Sequence, residues 1–275
     1  MSLRAELEGV ERLSKDLREA AATLSPHEVR FVVDLYYQLQ RNRIASMDQV
    51  RKMTESEEPH ELVSWVGENS RVLETQIKNA LDRYSDAHVP GRWAKSIIGI
   101  GPVISAGLLA HIDITRAPTV GHIWRFAGLD PTVKWSKGQK RPWNARLKVL
   151  CWKLGESFKK RYNHPDDIYG KVYIERKQNH EIPMNEAGVF RELAERKLAE
   201  VPRWKDQATK KIYESGRLPA GRLDLRAMRY ATKLFLAHFH HVWYMSEYGV
   251  EPPKPYILTQ PGHTHYIAPP HWPIA

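Results

Sequence analysis

Apolar residues recur at helical spacing along most of this chain, and nowhere do they alternate convincingly with period two. Ser25-Pro26-His27-Glu28 marks a helix start, with Ser25 as cap, Pro26 at the first helical position and Glu28 at the box position. Behind it Val29, Val32, Val33, Tyr36, Tyr37 and Leu39 form an apolar stripe that runs on through Ile44 toward Met53. Glu57-Glu58-Pro59 breaks it, and a second long helix carries Leu62, Val66, Leu73, Ile77, Leu81 and Tyr84 near one face. Long helices joined by a tight break predict an antiparallel hairpin or a coiled-coil arm, its stripe packed on the rest of the chain or on a second copy. Residues 1–21 read as a short charged helix ahead of them.

Pro90-Gly91 marks a change of character. Beyond it the pattern predicts helices over Trp93–Ile98, Val103–His111, His122–Gly128 and about Pro142–Lys160, the last ended by Asn163-His164-Pro165. Further helices are expected over Asp166–Arg176, Glu186–Leu198 and Leu223 to about Tyr248. The tail from Glu251 is rich in proline and without periodicity, so it should wrap over the body as an extended segment. The fold class is all-α, divided into an N-terminal helical arm (1–89), a helical domain (90–250) and a proline-rich tail (251–275).

Charge changes this picture more than composition does. The net charge of +10 is distributed as −4 over residues 1–90, +2 over 91–133, +9 over 134–177 and +3 over 178–275. The excess is therefore concentrated in one block, where Trp135, Trp143, Trp152, Tyr162 and Tyr169 are interleaved with the cations. Such a block is either a solvated face or, more in keeping with the aromatics, a nucleic-acid surface. Trp143 and Trp152 suit core or interface anchoring better than base stacking. Cys151 is the only cysteine, which excludes an internal disulfide and a cysteine-based zinc site, and its apolar neighbours predict a buried thiol. With no signal-peptide apolar region and no run near the length of a membrane span, the chain reads as soluble and cytoplasmic, without a membrane partner.

The most informative segment is Ile97-Ile98-Gly99-Ile100-Gly101-Pro102-Val103. Two glycines between helices permit positive φ or close approach of another chain, and Pro102 fits the first position of the second helix. Unpaired N–H groups at that helix start suit a phosphate. The arrangement resembles the helix-hairpin-helix motif of DNA-handling proteins. Gly99, Ile100, Gly101 and Val103 are then the backbone contacts, with Ile97, Ile98, Ile100 and Val103 holding the two helices together. Lys95 and Arg125 flank them, and a monovalent cation would sit on the turn's carbonyls. A plain packing corner is the alternative.

Further motifs follow in order: Ala106-Gly107-Leu108-Leu109-Ala110, Phe126-Ala127-Gly128-Leu129-Asp130-Pro131, Ser136-Lys137-Gly138 and Asn144-Ala145-Arg146-Leu147-Lys148. Together with the glycine turn, this set resembles the C-terminal transposase domain of insertion-sequence transposases that pair a DEDD nuclease-like domain with a serine nucleophile. The resemblance covers roughly residues 90–165, and the paired helices before it are similar to that family's coiled-coil connector. It implies DNA binding, strand cleavage through a seryl-phosphodiester link and a homo-oligomeric assembly. It also implies a divalent cation where an acidic domain is supplied. Residues 1–90 carry their acids on helical patterns without strand-helix alternation, so a DEDD domain is absent from this reading.

Ser136 is the position matching the family's nucleophile. Lys134, Lys137, Lys140, Arg141 and Arg146 are its cationic neighbours in sequence, equally suited to holding phosphates. Arg222, Arg226, Arg229 and Lys233 form a second basic stripe, placed either on a backbone or in salt bridges to Glu192 and Glu195. His238, His240 and His241, with His263, His265 and His271 in the tail, invite a metal reading. No carboxylate or cysteine stands at a recognised ligand spacing, so packing histidines and no metal are expected. Three functions compete: a transposase-like DNA-binding protein, a serine-dependent transposase, recombinase or nuclease completed by another chain, and an RNA-binding or structural adaptor.

Overall fold

The computed structural model describes residues 11–54, 61–254 and 266–274, and among these the fold is all-α with no strand. After α1 (Lys15–Ala20), the two longest N-terminal helices are α2 (Pro26–Thr54) and α3 (Glu61–Asp86). The capping box forms: Ser25 N–H and Oγ both donate to Glu28 Oε2 at 2.7 Å, and Glu28 N–H donates to Ser25 Oγ. Arg43 pairs with Glu74 at 2.6 Å, while Met47 lies against Gly67, so the two helices run in opposite senses and are antiparallel. The break at Glu57-Glu58-Pro59 lies outside the described residues.

The base of this hairpin is built into the main core. Val29, Val33, Leu81 and Tyr84 join one buried cluster with residues of α4 (Val89–Lys95), α5 (Pro102–His111) and α6 (Val120–Phe126). The same cluster takes in α7 (Ala145–Arg161), α8 (Ile168–Arg176) and α12 (Ala220–Tyr248). Trp93, Phe158, Tyr169, Phe235 and Phe239 are fully buried at its centre, with Phe158 and Tyr169 rings stacked at 4.9 Å. Each large apolar side chain removed from water contributes roughly 1.5–3 kcal/mol. Gly107 lets α5 meet Leu150 of α7, and Gly155 lets α7 meet Met228 and Thr232 of α12. Cys151 is buried as expected, and burial pushes its thiol up to about 12.

Element boundaries differ from the periodic pattern where local chemistry overrules it. Pro90 sits in the first turn of α4, so Pro90-Gly91 opens a helix that ends at Lys95, three residues short of the expected Ile98. Asn144 caps α7 by accepting from Leu147 N–H at 3.0 Å, which leaves Pro142 and Trp143 in the preceding loop. The expected helix over Glu186–Leu198 is split. A π turn (Lys177–Glu181) leads into α9 (Ile182–Glu186), Gly188 at φ 76° breaks it, and α10 (Arg191–Glu200) follows. Polar α11 (Gln207–Glu214), for which the pattern predicts no helix, completes a second small core of Phe190, Ala194, Tyr213, Leu218 and Leu223.

Of the tail, residues 266–274 lie on the body. Trp93 Nε1 donates to Pro270 O at 2.7 Å, and Trp272 and Ile274 pack on the main core. His238 joins this junction: Tyr169 Oη donates to Nδ1 at 2.7 Å and Nε2 donates to Ile267 O at 2.8 Å. His240 Nε2 donates to Ala117 O at 2.7 Å, and His271 meets Ser96. His263 and His265 fall outside the described residues. Among the described ones no group of three histidine, cysteine or carboxylate side chains is arranged to hold a metal. No described helix is long and apolar enough to cross a membrane.

Candidate nucleic-acid interface

The glycine turn between α4 and α5 is built by three local demands. Gly99 has φ 90°, a conformation that a Cβ resists, and a Cβ there would lie 2.9 Å from Ser157 Oγ. Gly101 is extended (φ −100°, ψ 177°) as N-cap of α5, its carbonyl accepting from Ser105 N–H at 3.1 Å. Among the described residues nothing lies within 4 Å of a Cβ built at Gly101, and this face of the turn is open to them. Pro102 occupies the first helical position, and the N–H groups of Val103 and Ile104 fall in the first turn, where no intrahelical acceptor exists. The helix dipole adds partial positive charge there.

The side chains beneath are structural. Ile97, Ile100 and Val103 are buried, so any contact Ile100 and Val103 make with a ligand is through backbone. Gly91 lets α4 press onto α3: a Cβ would stand 2.2 Å from Ser85 O, and Ser105 Oγ donates to Gly91 O at 3.1 Å. Ser157 Oγ of α7 donates to Gly99 O at 2.5 Å, and the Arg161 side chain lies beside Gly99. Lys95 turns the other way, paired with Asp82 and with Asp86 at 2.7 Å, and those partners hold its ammonium above its ordinary value against the opposing effect of burial. Arg125 is exposed on the last turn of α6.

The cationic block forms an ordered loop between α6 and α7. Asn144 N–H donates to Phe126 O at 2.8 Å and closes it. Gly128, at φ 67°, passes directly under Trp143. Trp143 meets Trp135 edge-on at 6.2 Å, and Trp135 Nε1 donates to Gln139 O at 2.7 Å. Arg141 covers Trp135 at 5.3 Å and Lys148 covers Trp143 at 4.0 Å, so cations and indoles alternate. Lys134, Lys137, Lys140 and Arg141 are exposed and form no ion pair among the described residues. Arg146 pairs with Asp34 of α2 at 2.7 Å. Ser136 is exposed in this loop, and among the described residues its hydroxyl has no hydrogen-bond partner.

The candidates therefore fall into two places. The glycine turn meets α7 at Ser157, and the loop meets it at Asn144, about 20 Å away along the helix axis. Of the other cations of α7, Lys159 pairs with Asp224 at 2.5 Å and Lys153 lies over Tyr37 at 3.8 Å. Trp152, which the sequence favoured as an anchor, is half-exposed on the outer face of α7. Ser157 and Arg161 are partners of the turn that sequence reasoning missed. Their spacing of four on α7 was the available signal, but nothing local tied it to Gly99.

This geometry coincides with a family signal. Residues 92–149 match the transposase IS116/IS110/IS902 family. The matched segment runs from α4 through the glycine turn, α5, α6 and the cationic loop into the first part of α7, which supports a transposase domain in this part of the chain. No curated protein and no solved structure matches the chain.

Proposed function

We propose that this protein is a transposase-like DNA-binding protein that grips the phosphate backbone at two places, the Gly99–Val103 turn and the Lys134–Arg141 loop. The observation carrying the reading is that the family match spans both features and that Lys134, Lys137, Lys140 and Arg141, exposed and without an ion pair among the described residues, stand together in one of them. Contacts of this kind neutralise phosphates without reading bases, so binding is expected to be weakly sequence-dependent and strongly salt-dependent. The separation of about 20 Å along α7 corresponds to roughly six base pairs of duplex, so one continuous helix is long enough to touch both. Titration of labelled duplex DNA across a range of salt concentrations tests the proposal. Affinity that is independent of salt contradicts it.

A second reading, strand cleavage by Ser136, draws support from its exposure between Lys134 and Lys137. Activation of that hydroxyl and any divalent cation would come from an acidic site on another chain, within a multimer. A monovalent cation at the glycine turn would share the Ile97 and Gly99 carbonyls with Ile100 N–H and Ser157 Oγ. A covalent protein–DNA adduct that disappears in Ser136→Ala is the expected mark of this second reading. Absence of nicking and adduct on supercoiled and branched substrates rejects it.

A further inference from the structure

The basic stripe of α12 lies outside the family-matched segment, yet the fold brings it into one cleft with Pro131 of that segment. Between α10 and α12 is a cleft of ≈ 230 Å³ lined by Arg196, Lys197, Arg222, Arg226 and Arg229, with Pro131 contributed from the basic loop. Among the described residues lining it the one acid is Glu200, shared between Arg196 at 3.8 Å and Lys197 at 3.4 Å. Arg226 is held by Glu181 at 2.6 Å. Among the described residues, Arg222 and Arg229 form no ion pair, and both are exposed.

These cations crowd one another. Although part of the Arg229 side chain reaches solvent, the burial of its guanidinium against the cleft, and then Arg222 and Arg226, push it below its ordinary value. Arg229 in turn lowers Lys148, after burial and together with Arg141. It also lowers Lys233, where burial dominates and Asp130 opposes. Lys148, which covers Trp143 of the loop at 4.0 Å, thus lies within electrostatic range of both Arg141 and Arg229 and links the loop to α12. Like charges held together by a fold disfavour the empty state and are relieved by an anion. A guanidinium fork matches a phosphate with paired hydrogen bonds.

We infer that the α10–α12 cleft binds a backbone phosphate of the same nucleic acid that the basic loop holds. The phosphate path leaves the matched segment at Pro131 and crosses onto α12, with Arg222 and Arg229 as its ligands. This rests on the DNA-binding reading above. Free inorganic phosphate presents the same chemistry, but the contribution of Pro131 from the basic loop to the cleft's lining favours a polymer that spans both.

The test uses the full chain as wild type, as R222Q/R229Q and as the loop variant K137A/K140A/R141A. Each is titrated with duplex DNA over a range of salt, and each is melted with and without inorganic phosphate at fixed ionic strength. R222Q/R229Q is expected to lose about tenfold in affinity at low salt, with its log–log salt slope reduced by about 0.9 for each phosphate no longer neutralised. Inorganic phosphate should raise the wild-type melting temperature and raise that of R222Q/R229Q less. An unchanged slope in a cooperatively melting R222Q/R229Q overturns the inference. Loss of the phosphate increment alone, with DNA binding intact, assigns the cleft to a free anion and equally overturns it. DNA binding that falls in the loop variant but not in R222Q/R229Q overturns this inference and spares the reading beneath it. A wild type with no DNA affinity overturns that reading itself.

Discussion

Ser157 Oγ donates a 2.5 Å hydrogen bond to the carbonyl oxygen of Gly99, tying the turn between α4 and α5 to the last third of the basic helix α7. The bond fixes the turn from behind while its Gly101 face stays open. Ser157→Ala should cost about 1 kcal/mol of stability and weaken DNA binding through a less rigid turn. Chemical denaturation and anisotropy on the same samples check both effects.

The two glycines of the turn should separate stability from binding. Gly99→Ala places a Cβ at φ 90° and against Ser157, so it is expected to destabilise by about 1–3 kcal/mol. Gly101→Ala meets no atom of the described residues and adopts an ordinary φ, so its unfolding should match wild type. Its DNA affinity should nevertheless fall, because the Cβ occupies the approach of a phosphate. Unchanged affinity in Gly101→Ala would remove the turn from the interface.

Gly91→Ala tests the packing that positions α4. The added Cβ would stand 2.2 Å from the backbone oxygen of Ser85, which cannot move like a side-chain tip. Overpacking of this kind costs about 1–3 kcal/mol. Thermal melting should therefore show a clear loss for Gly91→Ala beside an unaffected Gly101→Ala.

Buried histidines set an acid limit on stability. Burial holds His111 and His238 down to about 4, against an ordinary value of 6.5. For His238 the Ile267 carbonyl opposes the shift without overcoming it. Because the folded values are depressed, the unfolded chain binds more protons between pH 6.5 and 4. Stability is therefore full above that window and falls as pH drops through it. Each such histidine contributes up to about 1.4 kcal/mol per pH unit. Denaturant unfolding at a series of pH values should show this slope, and His238→Phe should reduce it by about one proton.

Asp224 fastens α7 and α8 to α12. Burial raises its carboxyl, but hydrogen bonds from Lys159, Lys177 and Tyr173 outweigh that and hold it at about 2. Its contribution is present above the ordinary carboxylate value and is lost as pH falls toward 2. Asp224→Asn leaves two partly solvated ammonium groups facing a neutral amide and should cost about 1–2 kcal/mol, measurable as a shift in the denaturation midpoint at neutral pH.

How far the sequence reveals this molecule depends on the range of the interaction concerned. The starts of α2 and α5 follow from Ser25, Glu28, Gly101 and Pro102, because caps and proline act over one turn. The cationic loop was legible as charge, and its aromatic interleaving as an alternation of residue types. By contrast, Lys95 and Arg146 looked like unpaired cations until the fold supplied Asp82, Asp86 and Asp34 from the hairpin. Arg229 and Lys148 are far apart in the chain, and only the crossing of α7 and α12 brings their charges together. Helix α11 escaped detection because its polar sequence buries one aromatic, Tyr213, whose partner Trp204 precedes the helix.

The central claim, backbone gripping by the loop, is tested most directly by the salt dependence of duplex binding in wild type and in K137A/K140A/R141A. The three side chains are exposed and form no ion pair among the described residues, and Arg141 only covers the exposed Trp135 ring, so their removal should leave the helical core folded. The expected result is weaker binding at low salt and a log–log slope shallower by about 0.9 for each phosphate no longer neutralised. Equal affinity and equal slope in wild type and variant would contradict the account.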